Sequence, residues 1–139
     1  MQRHPLAAVL SALLLAALGW AALVPIRVAS HEATFEIPRG TYAHRTHGEH
    51  VNIFPQTIRL TLGLDDVLVL KNGDEVPHLF GPAVIMPGQS FRLPFEVAST
   101  YTFQCTAHPN GGLSVIVDPA PAPGWERLQW RWRELTKAV

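Results

Sequence analysis

Cysteine occurs once in the 139 residues, at position 105, and a single thiol excludes an intramolecular disulfide framework. Net charge is missing as well. Eleven Lys and Arg balance eleven Asp and Glu, which argues against a nucleic-acid surface held by phosphate neutralisation. The first thirty residues hold Arg3 and Arg27 and no acid. Without them nine bases face eleven acids, an excess too small to steer a polyanion. No internal repeat is visible. What the chain does have is twelve prolines and ten glycines spread between short apolar runs, the pattern of a loop-rich all-β body.

Charge is also absent from Leu6 to Val24, "LAAVLSALLLAALGWAALV". As a helix this run would be roughly 28 Å long, about the hydrocarbon thickness of a bilayer. Preceded by the basic "MQRHP", it reads as an export signal. The small residues of Val28-Ala29-Ser30 suit cleavage, while the length of the run, beyond the usual 7–15 residues of a cleavable segment, favours a retained anchor. Residues 1–30 are therefore a signal peptide or an N-terminal membrane anchor. Either way the body is expected outside the cytoplasm: periplasmic and anchored if the helix stays, secreted or periplasmic if it is cut. A free thiol there needs protection by burial or by a metal.

In the body, "ATFEIP" (33–38), "TIRLTLG" (57–63), "DVLVLKNGDE" (66–75), "SFRLPFEV" (90–97), "TYTFQC" (100–105) and "LSVIVD" (113–118) read as strands. Asn72-Gly73 and Pro87-Gly88 read as turns. "GTYAHRTHGEHVNIFPQ" reads as a polar, histidine-rich connection, and "VPHLFGPAVIMPGQ" as extended chain. This spacing predicts a sandwich or barrel over residues 31–118. "PAPAPG" (119–124) is a stiff linker. Residues 125–139 predict an amphipathic helix, with Trp125, Leu128, Trp132, Leu135 and Val139 in one stripe. That stripe has three candidate partners: the sandwich, another protein, or a membrane surface.

Cys105 could pack as a small apolar residue, act as a nucleophile, or ligate a metal. Nucleophilic use needs a base and an oriented third group, and no oxyanion-forming motif follows Cys105. His108 lies in the loop after the same strand, and His78 follows another strand in "NGDEVPH". One thiolate with two imidazoles is the ligand set of a mononuclear blue-copper centre.

The stretch 71–117 resembles the copper-binding half of a cupredoxin. The resemblance lies in Asn72, Asp74 and His78 as an Asn-x-Asp-x-x-x-His segment, a Pro-Gly-Gln turn, and Tyr-x-Phe-x-Cys running into Cys-x-x-His. It implies an all-β, cupredoxin-like Greek-key sandwich with one type 1 copper held by His78, Cys105 and His108. It also implies an electron exit through His108 in an exposed loop. The family's axial methionine would fall five residues after His108, where this chain has the non-ligating Leu113. The resemblance then leaves a three-coordinate copper, or a weak contact from the Pro77 carbonyl. Met86, with Met1 the only methionine, lies in the wrong loop. The interval from His78 to Cys105 is short for the family, and Thr100 stands where a glycine is common.

No His-x-His pair occurs anywhere, and Gln104 and Thr106 flank the cysteine, so multicopper oxidase or reductase chemistry is not expected. The chain reads as an electron carrier rather than an enzyme, with a redox partner protein, a membrane contact through the N-terminal helix, and neither nucleic acid nor a small-molecule substrate. A copper carrier without a redox role, for trafficking or cofactor assembly, is the alternative. A metal-free adaptor beside a membrane complex is a third class. His44, His47 and His50, in "HRTHGEH", read as a solvated loop first and as a second metal site only in the alternative.

Overall fold

Alternation of apolar and polar side chains becomes eight strands in the body of the chain. The computed structural model describes residues 5–49 and 53–137, and these divide into two units. One is Val28–Ala120; the other joins Met1–Arg27 with Pro121–Val139.

In the body, β1 (Glu32–Ile37) is followed by a short helix α2 (Thr41–Thr46), which takes that label because the N-terminal helix of the other unit is α1. The strands β2 (Thr57–Thr61), β3 (Val67–Asn72), β4 (His78–Phe80), β5 (Ala83–Ile85), β6 (Ser90–Pro94), β7 (Ser99–Gln104) and β8 (Gly112–Asp118) complete it. One sheet runs β1-β3-β6, a second β2-β8-β7, and β4-β5 form a hairpin of their own. Each large sheet has one parallel pair, β1 with β3 and β2 with β8, and one antiparallel pair, β3 with β6 and β7 with β8. The expected all-β sandwich is the observed one.

Its core is filled from both sheets. β8 alternates strictly, burying Leu113, Val115 and Val117 while the residues between stay partly exposed. Ile58 and Leu60 of β2 join them, and Ile37, Leu68 and Leu70 approach from the other sheet. Aromatic rings close the end that carries the hairpin: Phe80 lies 4.7 Å from Phe103 and 5.9 Å from Phe91, centroid to centroid. The hairpin turns through Gly81, at φ +54°, where a Cβ would sit 3.2 Å from the Phe103 ring.

The helix α2 lies within the segment expected to be a polar, histidine-rich connection. Six residues cannot hold a helix by propensity alone. The Asp74 carboxylate, thirty-odd residues further on, accepts the N–H of Gly40 at 2.8 Å and of Tyr42 at 2.9 Å. A carboxylate at a helix start satisfies amides that have no intrahelical partner and faces the positive end of the dipole.

In the second unit, α1 (Pro5–Leu23) is a 19-residue helix with no buried residue, long and apolar enough to cross a membrane. Its C-terminal turn packs on α3 (Trp125–Lys137), the expected C-terminal helix. Trp125, Trp132 and Leu135 of the predicted stripe are exposed; Val139 lies outside the described residues.

Candidate metal centre

Chain order would not predict how closely the segments around Cys105 and His78 meet. Cys105 follows β7 and bridges to Phe80 of β4, while the Thr106 N–H donates to the Leu79 carbonyl at 3.1 Å. A tight loop follows: His108 N–H reaches the Cys105 carbonyl at 3.3 Å, Gly111 N–H the His108 carbonyl at 3.0 Å, and Cys105 N–H the Gly111 carbonyl at 2.9 Å. Cys105 and His108 are thus fixed in one loop, and the β4 segment with His78 is stitched alongside it.

Both imidazoles are anchored through Nε2. His78 Nε2 donates to Asp74 Oδ2 at 2.9 Å, and both side chains are buried. Burial pushes the Asp74 carboxyl up, but the His78 hydrogen bond and the amides of Tyr42, Glu75 and Gly40 outweigh it and hold the group at about 2. His108 Nε2 donates to the Phe54 carbonyl at 3.1 Å, and the Phe54 ring stands edge-on to the imidazole at 4.7 Å. In each neutral ring the remaining nitrogen, Nδ1, is then the one with a free lone pair. Among the described residues His78 Nδ1 has only Thr106 Oγ1 as a hydrogen-bond neighbour, at 3.4 Å, and that hydroxyl already accepts the Leu79 N–H at 2.9 Å. His108 Nδ1 is buried and has no partner among the described residues.

A buried nitrogen without a partner costs about 1–3 kcal/mol. One that sits three residues from a buried thiol, on a ring oriented by a carbonyl, has the arrangement of a metal-ligating histidine with its second nitrogen tied down. Burial pushes the Cys105 thiol up; the amides of Ala107 and His108 and the positive charge of Arg45 oppose this only in part. The Arg45 guanidinium also donates to the Thr106 carbonyl, on the same loop. The residues therefore fit a soft cation that takes one thiolate and two imidazoles, although among the described residues no group of three His, Cys, Asp or Glu side chains is already arranged to hold one.

Leu113 is buried in β8, opposite Phe103, inside the core cluster that includes Cys105 and Ala107. Its side chain offers no electron pair. Pro77 lines a surface groove with Tyr42, Arg45, His78, Leu79 and Thr106. Two expectations change. His108 is not in an exposed position: at 2 % exposure it lies behind Phe54, because its Nε2 needs the Phe54 carbonyl. And the histidine-rich segment is partly helical. There His44 Nδ1 meets the Glu49 carboxylate and His47 Nδ1 the Ala43 carbonyl at 2.6 Å, while His50 lies outside the described residues. Nothing in the sequence marks the part played by Arg45, Thr106 and the Phe54 carbonyl. Asp74 was visible four residues before His78, but nothing marked it as the partner of that ring.

No family model and no curated protein matches the chain. Among solved structures, a purple cupredoxin from Nitrosopumilus maritimus is similar at 25% identity and a TM-score of 0.45, covering 63% of this chain and 100% of that one. Amicyanin from Paracoccus versutus is similar at 20% identity and a TM-score of 0.45, covering 70% of this chain and 88% of that one. A Cu(I) form of an amicyanin mutant has the same identity and TM-score, over 70% of this chain and 89% of its own.

Proposed function

We propose that the chain is a membrane-anchored, extracytoplasmic mononuclear copper protein that passes single electrons, with His78, Cys105 and His108 as the ligands. The observation that carries this reading is the bare, buried Nδ1 of His108, on a ring whose Nε2 is held by a backbone carbonyl, in the same loop as the only thiol. A copper ion bound there would supply a one-electron couple between +1 and +2. The protein's part is to hold both imidazoles by their Nε2 atoms in either state, so that little has to move. It would also release the Cys105 proton on loading and keep water from the sulfur by burial at 1 % exposure. The groove lined by Pro77, His78 and Leu79 brings the surface to one of the proposed ligands, and a partner protein would dock over it. The cupredoxin-like sequence of residues 71–117 supports the same reading.

The test is addition of Cu(II) to the purified full chain in detergent. One copper per chain and an intense thiolate-to-copper visible band are expected. A pale, histidine-type spectrum would overturn the electron-transfer reading in favour of a copper carrier, and no binding would leave the metal-free adaptor.

The same protein gives a prediction at Leu113. If copper is held by His78, Cys105 and His108, this side chain would offer it no electron pair, which would favour Cu(I) over Cu(II). A Leu113→Met variant, a substitution cores tolerate at under about 1.5 kcal/mol, is expected to lower the reduction potential. Each tenfold gain in relative Cu(II) affinity is worth about 59 mV. Redox titration of the visible band measures it, and an unchanged potential would mean that another group already supplies the axial donor.

A further inference from the structure

We infer that α3 is an interfacial helix, clamped across the C-terminal end of α1, whose Trp125 and Trp132 face lies in the headgroup–acyl boundary of a lipid bilayer. The inference rests on reading α1 as a retained membrane span.

The clamp consists of four hydrogen bonds to carbonyls that a helix end leaves without intrahelical donors. Gly124 N–H donates to Ala22 O at 2.9 Å, Arg127 Nη1 to Leu23 O at 2.6 Å, Arg131 Nε to Ala21 O at 3.0 Å, and Arg131 Nη2 to Val24 O at 3.2 Å. Two guanidinium groups thus stand at the negative end of the α1 dipole. At 100° per residue, Gly124, Arg127, Leu128 and Arg131 form one face of α3, so this face is occupied by α1.

The tryptophans occupy the neighbouring face. Leu18 of α1, more than a turn inward from Leu23, lines one groove with Trp125, Leu128, Gln129 and Trp132. The apolar side of α3 therefore opens along the flank of α1 and not beyond its end. Trp125 is 71% exposed and Trp132 70%, although burying such side chains is favourable by several kcal/mol. No side chain of α1 is buried either, and a helix apolar on all faces has lipid as its solvent. Lipid that covers Leu18 covers the groove. Trp20, exposed on the last turns of α1, puts a third indole at the same level, the position of an aromatic belt. Four basic residues against two acidic ones in α3 add attraction to anionic headgroups.

The test uses the full chain with Trp20→Phe and Trp130→Phe, leaving Trp125 and Trp132 as the only indoles. It is reconstituted in vesicles of equal phosphatidylcholine and phosphatidylglycerol, with phosphatidylcholine brominated high on the acyl chain as quencher. The expected result is co-flotation with the vesicles, blue-shifted emission, and loss of most of that emission with the brominated lipid. Adding Arg127→Gln and Arg131→Gln should reduce the quenching without affecting flotation. Flotation with water-like, unquenched emission would overturn the interfacial helix and leave the anchor standing. Flotation with blue-shifted but unquenched emission would overturn it in favour of a protein covering the tryptophans. A chain that does not float would overturn both readings.

Discussion

A Cys105→Ser protein mixed with Cu(II) is expected to be colourless where the parent is intensely coloured. The hydroxyl of serine keeps its proton at any working pH, so neither the charge-transfer band nor a strong sulfur bond to copper can form. Loading the parent should also release one proton per copper, because burial keeps the thiol protonated until the metal displaces it. The variant should lack that release. Serine is close to cysteine in size, and the buried hydroxyl should cost only about 1–3 kcal/mol, so circular dichroism can verify that the variant folds. The measurements are the visible and EPR spectra at equal copper. The same band in the variant would remove Cys105 from the ligand set.

Asp74→Ala is expected to have the largest effect on stability of any single substitution around the site. Asp74 accepts four hydrogen bonds, from the amides of Gly40, Tyr42 and Glu75 and from His78 Nε2, and it is buried. Removing it leaves α2 without its capping anion and a buried imidazole N–H without an acceptor, at a cost of about 3–5 kcal/mol. Asp74→Asn is milder and separates the roles. Loss of a partner that orients a ligand typically costs about 10–100-fold in metal affinity. The parent also makes a pH prediction. The carboxyl titrates at about 2 when folded against an ordinary 3.8, so its contribution is complete above the higher value and is lost as pH falls through the lower. That contribution is about 2 kcal/mol at 1.36 kcal/mol per unit. Denaturant midpoints of the apoprotein should fall over this acid window in the parent and stay flatter in Asp74→Asn. Equal slopes would mean that Asp74 is not the group holding α2 and His78.

The strands were legible because each is short, bounded by Pro or Gly, and buried on one side. β8 could be read residue by residue from Leu113 to Val117. The helix α2 was illegible because its stability comes from Asp74, far along the chain, and not from its own six residues. The burial of His108 was illegible for a related reason: its partner is a backbone carbonyl, at Phe54, and a carbonyl has no sequence signature. In α3 the apolar stripe was plain, but Arg127 and Arg131 look from sequence like members of a solvated face. They turn to α1 because the carbonyls of Ala21, Leu23 and Val24 need donors that α1 cannot supply. The candidate ligands could be named from spacing and resemblance. Which nitrogen of each ring is free could not.

The two pairings of β8 have a consequence for how the thiol is handled while the chain folds. Thr57 pairs with Ser114 and Thr61 with Asp118, in parallel, so β2 waits for the last strand of the body before it has a partner in the sheet. Long-range parallel pairing of this kind is closed late and slowly. β7, which delivers Cys105, pairs only with that same last strand. Until residues 112–118 are in place, Cys105 has neither its sheet nor its closing hydrogen bond to Gly111, and its sulfur is open to oxidants and to any soft cation present. Because the β7–β8 pairing joins neighbouring segments, it closes before the long-range β2–β8 pairing, so the thiol is covered as the hairpin forms and not when the sheet is completed.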